Sequence, residues 1–98
     1  MRRVPGRIFH TFFLPIALYN LGRVLYAQDK PKEALQRFRE AVEADSGYVD
    51  AWKDLGTLLY QGDRAEEAIR EYRTAIRLDP GNAVAHQNLA IVLAQQEE

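Results

Sequence analysis

Ninety-eight residues with 13 basic and 14 acidic side chains, a formal net charge of −1 and 47% hydrophobic content describe one small folded domain rather than a disordered chain. The near-neutral balance argues against general nucleic-acid binding, which draws on a basic face. The sequence has no cysteine, which excludes a disulfide framework, a thiol nucleophile and a cysteine-based metal site, and it has no run of about 18 apolar residues to span a membrane.

The chain opens on "MRRVPGRIFHTFFL", residues 1–14, with Arg2, Arg3 and Arg7 and no acid, so the remainder carries a net charge of −4. Arginines followed by an apolar run resemble the opening of a secretory signal. His10, Thr11 and Pro15 interrupt that run, and no small-x-small cleavage site follows it. Residues 1–14 are therefore expected to be an N-terminal extension, weakly ordered or packing on the first helix. The expected location is cytoplasmic, with export the alternative if the apolar stretch is a signal.

From Leu18 onward the chain repeats itself. Residues 18–51 laid over 52–85 agree at 12 of 34 positions without a gap. Near-equivalents fill many of the others, among them Val24 and Leu58, Leu35 and Ile69, and Phe38 and Tyr72. A third copy starts at His86 and supplies "HQNLAIVLAQQ". Each unit holds two apolar patterns of helical period with a break between them.

In the first unit the break contains Asp29, Pro31 belongs to the first turn of the second helix, and "DSG" at 45–47 ends it. In the second unit the first helix is predicted over 49–61, the break at Gly62–Asp63 and the second helix as far as Leu78. Asp63 is expected to cap the second helix, with Glu66 three residues on completing a capping box. Arg73 and Arg77 suit its C-terminal end, and Pro80 and Gly81 stop it. Asn82 is placed to cap the last helix. Ion pairs one turn apart are expected at Glu33–Arg37, Glu66–Arg70 and Arg39–Glu43, marking a solvated face.

This pattern resembles the tetratricopeptide repeat family, whose period is 34 residues and whose signature is W-x2-L-G-x2-Y…A-x3-F…P. The second unit shows Trp52, Leu55, Gly56, Leu59, Ala68, Tyr72, Ala75 and Pro80 at those places; the first shows Leu18, Leu21, Gly22, Leu25, Ala34, Phe38 and Ala41, with Ser46 where Pro is usual; the third shows His86, Leu89, Ala90 and Leu93. The resemblance covers residues 15–98. It implies an all-α fold, a right-handed superhelical α-solenoid of antiparallel helix hairpins with about five helices. Its repeats would be 18–51, 52–85 and a partial third at 86–98. Gly62 comes one residue earlier than the family's common loop glycine.

The small residues acquire a packing reason in this frame. Glycine inside a helix costs about 1 kcal/mol relative to alanine, so Gly22 and Gly56 need one. They are expected where the two helices of a hairpin come closest, with Ala34 and Ala68 facing them and Ala90 as their third counterpart. Ala41 and Ala75 are expected where a second helix meets the next first helix.

No catalytic constellation is present, and the chain is not expected to be an enzyme. His10 and His86 lie far apart, His86 standing in Trp52's place and expected to be partly buried; no phosphate-binding glycine pattern occurs. No metal or cofactor is expected.

The resemblance implies instead a non-catalytic module that binds a partner peptide or helix in a concave groove lined by the first helix of each repeat. The positions carried over are Tyr19, Asn20, Arg23 and Tyr26; Lys53, Asp54, Thr57 and Tyr60; and Gln87, Asn88 and Ile91. One subfamily grips a chaperone tail's terminal carboxylate with Lys, Asn and Arg. Lys53 and Asn88 match two of its positions but Thr57 replaces an Asn, which argues against that clamp. The alternative function is structural: dimerisation or stacking through the last helix, whose "LAIVL" lacks a complete cover. Nucleic acid, small-molecule substrates and membranes are not expected partners.

Overall fold

The computed structural model describes residues 13–97, and the expectation for residues 1–12 lies outside them. The described residues form five helices and no strand: α1 Leu14–Ala27, α2 Pro31–Ala44, α3 Val49–Gln61, α4 Ala65–Leu78 and α5 Ala83–Gln96. They fall into two compact units, one ending at Tyr48 and the other starting at Val49. The first holds the α1–α2 hairpin and the second holds α3, α4 and α5.

Both hairpin turns are built the same way, and not by the expected capping. Asp29 and Asp63 take left-handed backbone conformations, φ 60° and 64°. Around them the Lys30 and Arg64 amides reach back to the Leu25 and Leu59 carbonyls at 2.9 Å. The Asp29 and Asp63 amides bond the Tyr26 and Tyr60 carbonyls at 3.0 and 3.1 Å. These paired bonds are a Schellman motif, which closes the preceding helix. The aspartates therefore end α1 and α3 rather than begin α2 and α4. Lys30 and Arg64 occupy the N-cap positions, without a side-chain capping bond. The left-handed residue is Asp63, one position after Gly62, which accounts for the apparent shift of the loop glycine.

The other ends follow the sequence more closely. Asp45 closes α2 by accepting the Gly47 amide at 3.0 Å, an Asx turn that stops the helix although Ser46 replaces proline. Asn82 caps α5, its side-chain oxygen accepting the Ala85 amide at 3.0 Å. Ion pairs one turn apart form at i,i+3, where Arg37 reaches Glu40 and Arg64 reaches Glu67, each at 2.6 Å.

Inside each hairpin the glycines do their expected work against a different neighbour. A Cβ on Gly22 would lie 2.6 Å from Phe38 Cε1, and one on Gly56 would lie 2.9 Å from Tyr72 Cε1. The helices meet where backbone abuts an aromatic ring, and Phe38 and Tyr72 supply the nearest atoms rather than Ala34 and Ala68. Both alanines are nonetheless fully buried, as are Ala41 and Ala75. In the second unit Leu55 and Leu59 join Tyr72 and Val92 in the core. Full burial of such a leucine contributes about 1.5–3 kcal/mol.

Candidate functional site

On α1, Tyr19 is half-buried, its ring 5.6 Å from that of Phe38 and 5.0 Å from that of Tyr48. Arg23 places its guanidinium carbon 5.8 Å from the Tyr19 ring centroid, a cation–π contact. Tyr19 thus spends much of its surface inside the hairpin unit, whereas Asn20, Arg23 and Tyr26 are exposed.

In the second unit a polar network crosses from α3 to α4 and α5. The Thr57 hydroxyl donates to the Lys53 carbonyl at 3.2 Å and lies 2.8 Å from the Tyr72 hydroxyl. Asn88 of α5 hydrogen-bonds the same phenol. Burial pushes the Tyr72 pKa above its ordinary value of 10.0; the bonds to Thr57 and Asn88 oppose that rise, and the Asp54 charge adds to it. The phenol is neutral across the physiological range.

Above this network lies an open recess of ≈ 200 Å³ lined by Thr57, Tyr60, Gln61, Tyr72, Asn88, Ile91 and Val92. Tyr72 and Val92 are buried and form its base, while Ile91 is exposed. A second concavity of ≈ 410 Å³, lined by Tyr60, Asp63, Ala65, Gln95 and Gln96, shares Tyr60 with it.

The fold therefore brings together four of the expected groove residues: Thr57, Tyr60, Asn88 and Ile91. Lys53 and Asp54 are half-buried on α3 outside the recess, with the Lys53 ammonium 3.6 Å from Asp50. Gln87 is exposed and also outside it. Gln61, Tyr72 and Val92 were not foreseen as lining residues. A signal for Tyr72 existed, because the two repeats change together: Arg23 with Phe38 in the first, Thr57 with Tyr72 in the second. A hydroxyl appears on both helices at once, as a bond between them requires.

His86, expected to be partly buried, is exposed, and its Nε2 lies 2.8 Å from the Pro80 carbonyl. A shorter, polar ring in Trp52's place finds a backbone acceptor at the α4–α5 loop instead of a core. Among the described residues no group of three His, Cys, Asp or Glu could hold a metal ion. The recess offers two amides, a threonine hydroxyl, two phenols and aliphatic surface, which is chemistry for hydrogen bonding and packing.

A sequence model of the tetratricopeptide repeat matches residues 19–83 and, in a second placement, 54–98. No curated protein sequence matches the chain. Among solved structures the chain is similar to MamA, with 24% identity and a TM-score of 0.84 over 90% of this chain and 50% of that one. It is also similar to the first TPR of Spaghetti (RPAP3) bound to an HSP90 peptide, SRMEEVD (21% identity, TM-score 0.82, 86% and 67% covered). A tetratricopeptide repeat domain protein from Salinibacter ruber is 26% identical, with a TM-score of 0.77 over 82% of this chain and 96% of that chain. The chain spans about half the length of the MamA structure it matches.

Proposed function

The chain belongs to the tetratricopeptide repeat family, and we propose that it binds a partner peptide or helix through the first-helix side of its repeats, with the α3–α5 recess as the anchoring point. The tetratricopeptide fold is a protein-interaction module, and proteins of the family are generally non-catalytic. The observation that carries the reading is the convergence of Thr57, Tyr60, Asn88 and Ile91 on one open recess with a buried base. A tyrosine and an isoleucine beside a fixed amide can hold an apolar side chain and a backbone group of the same ligand.

The chaperone-tail clamp is not the reading we favour. Thr57 engages Tyr72 and Lys53 lies against Asp50, so neither side chain is set aside for a terminal carboxylate. The relative bound to an HSP90 peptide supports the peptide-binding fold and not that ligand.

The test is peptide selection on the full chain, followed by affinity measurement with Tyr60→Ala and Ile91→Ser. Ligands that lose tenfold or more on these variants support the recess. Selected ligands that bind both variants as tightly as wild type would refute it.

A second reading, self-association through α5, has its own observation: Val84, Ile91 and Leu93 are exposed on that helix. Light scattering across a wide concentration range separates the two, because a monomer throughout removes self-association.

A further inference from the structure

Tyr60 borders two concavities of the second unit, and they differ in chemistry. The ≈ 200 Å³ recess has Ile91 and Val92 in its lining. The ≈ 410 Å³ concavity has Asp63, Gln95 and Gln96, with Ala65 its one aliphatic side chain. A ligand side chain in the first therefore meets apolar surface, and its neighbour across the Tyr60 ring meets a carboxylate and two amides.

The charges in and around the two concavities are of one sign. Neither is lined by a Lys, Arg or His, and Asp63 is the one ionised group in either lining. Asp63 is exposed, and its carboxylate makes no hydrogen bond or ion pair with a described residue. The adjacent cation does not neutralise it, because Nε and Nη2 of Arg64 both lie 2.6 Å from Glu67 Oε1. Lys53 is likewise drawn to Asp50, at 3.6 Å. On the other side of Tyr60 the Asp54 charge acts on Tyr72 at the base of the recess. A carboxylate, glutamine carbonyl oxygens and the negative face of a phenol ring all attract a cation, and an anionic group placed among them would face like charge.

We propose that the partner segment pairs an aliphatic with a basic side chain: the aliphatic one fills the α3–α5 recess, and a Lys or Arg crosses the Tyr60 ring to the Asp63 carboxylate. The methylene stem of the basic residue lies along the ring while its charged end stays at the exposed acid. The two side chains share one face of the ligand, at i and i+3 or i+4 in a helix and at i and i+2 in an extended chain. This inference rests on the peptide-binding reading and names the ligand chemistry of that site.

Selection of a random peptide library on the full chain tests it, with the binders synthesised as selected and again with each Lys and Arg changed to Gln. Peptides that lose affinity on Ile91→Ser are expected to carry a basic residue at one of those spacings from an aliphatic one. Asp63→Asn keeps the side-chain shape and suits the left-handed backbone. It should lower their affinity about two- to fivefold at low salt, the range of an exposed ion pair. That loss should shrink as salt is raised and vanish for the Gln forms. Glu43→Gln removes an equal charge from an exposed position outside both concavities and should leave affinity unchanged.

Peptides that are lost on Ile91→Ser but bind Asp63→Asn as tightly as wild type overturn the charge preference and leave the peptide-binding reading standing. Selected peptides rich in Asp and Glu do the same. An equal loss on Asp63→Asn for the basic and Gln forms also overturns it, since Asp63 would then act through the turn and not through its charge. Peptides indifferent to both Ile91→Ser and Tyr60→Ala overturn the two readings together, as does a library that yields no binder.

Discussion

Replacing Gly56 with alanine sets two effects of known size against each other. Alanine recovers about 1 kcal/mol of helix propensity. Its Cβ would lie 2.9, 3.0 and 3.2 Å from three ring carbons of Tyr72, where ordinary contact begins near 3.4 Å. The ring must therefore retreat by about half an ångström, and overpacking of this kind costs about 1–3 kcal/mol. Retreat is opposed at the far end of the ring, because the hydroxyl is 2.8 Å from Thr57 and also bonded to Asn88. The net expectation is a loss of about 1 kcal/mol, or a fall of about 4–8 °C in Tm for a domain this size. Urea and thermal denaturation of the full chain measure it. Tyr72→Leu removes the obstructing ring, so Gly56→Ala in that background is expected to become neutral or stabilising. A rise in stability for Gly56→Ala in the wild-type chain would refute the reasoning, since propensity would then outweigh the contact.

Three further expectations rest on other parts of the fold. Asp63→Gly relieves a left-handed backbone position, φ 64°, and should stabilise the chain by about 0.5–1 kcal/mol in urea titration, whereas Asp63→Ala should not. Asn82→Ala removes the cap on the Ala85 amide and should cost about 1 kcal/mol in the same assay. Tyr72 has a folded pKa raised above 10.0, so its neutral form is favoured by folding. Its contribution is complete below about pH 10 and is lost as pH rises from there through the folded value, because the unfolded chain releases the proton first. Tyr72→Phe should therefore show a shallower alkaline loss of stability than wild type when both are unfolded in urea across that range.

Much of the architecture could be read from local pattern. The helix at 49–61, the end of α4 at Leu78 and the Asn82 cap all depend on residues within a turn or two of each other, where side-chain type constrains the backbone directly, and the 34-residue self-overlap repeats that local pattern along the chain. The turn aspartates were visible as punctuation, but their role was not. An Asp before a helix serves equally well as its N-cap or as the left-handed end of the helix before, and only the backbone path decides which.

The candidate site was legible in part for a related reason. Repeat position puts Thr57, Tyr60, Asn88 and Ile91 on first helices, and the fold gathers those four at one recess. Repeat position says nothing of where a side chain spends its hydrogen bonds. That Thr57 holds Tyr72, that Tyr19 rests on Phe38 and Tyr48, and that His86 turns to the Pro80 carbonyl depend on atoms brought together across helices. Gly22 and Gly56 mark the same division. Their spacing announces that two helices come close, while the identity of the neighbour, an aromatic ring 16 residues further along the chain, is decided by how the hairpin closes.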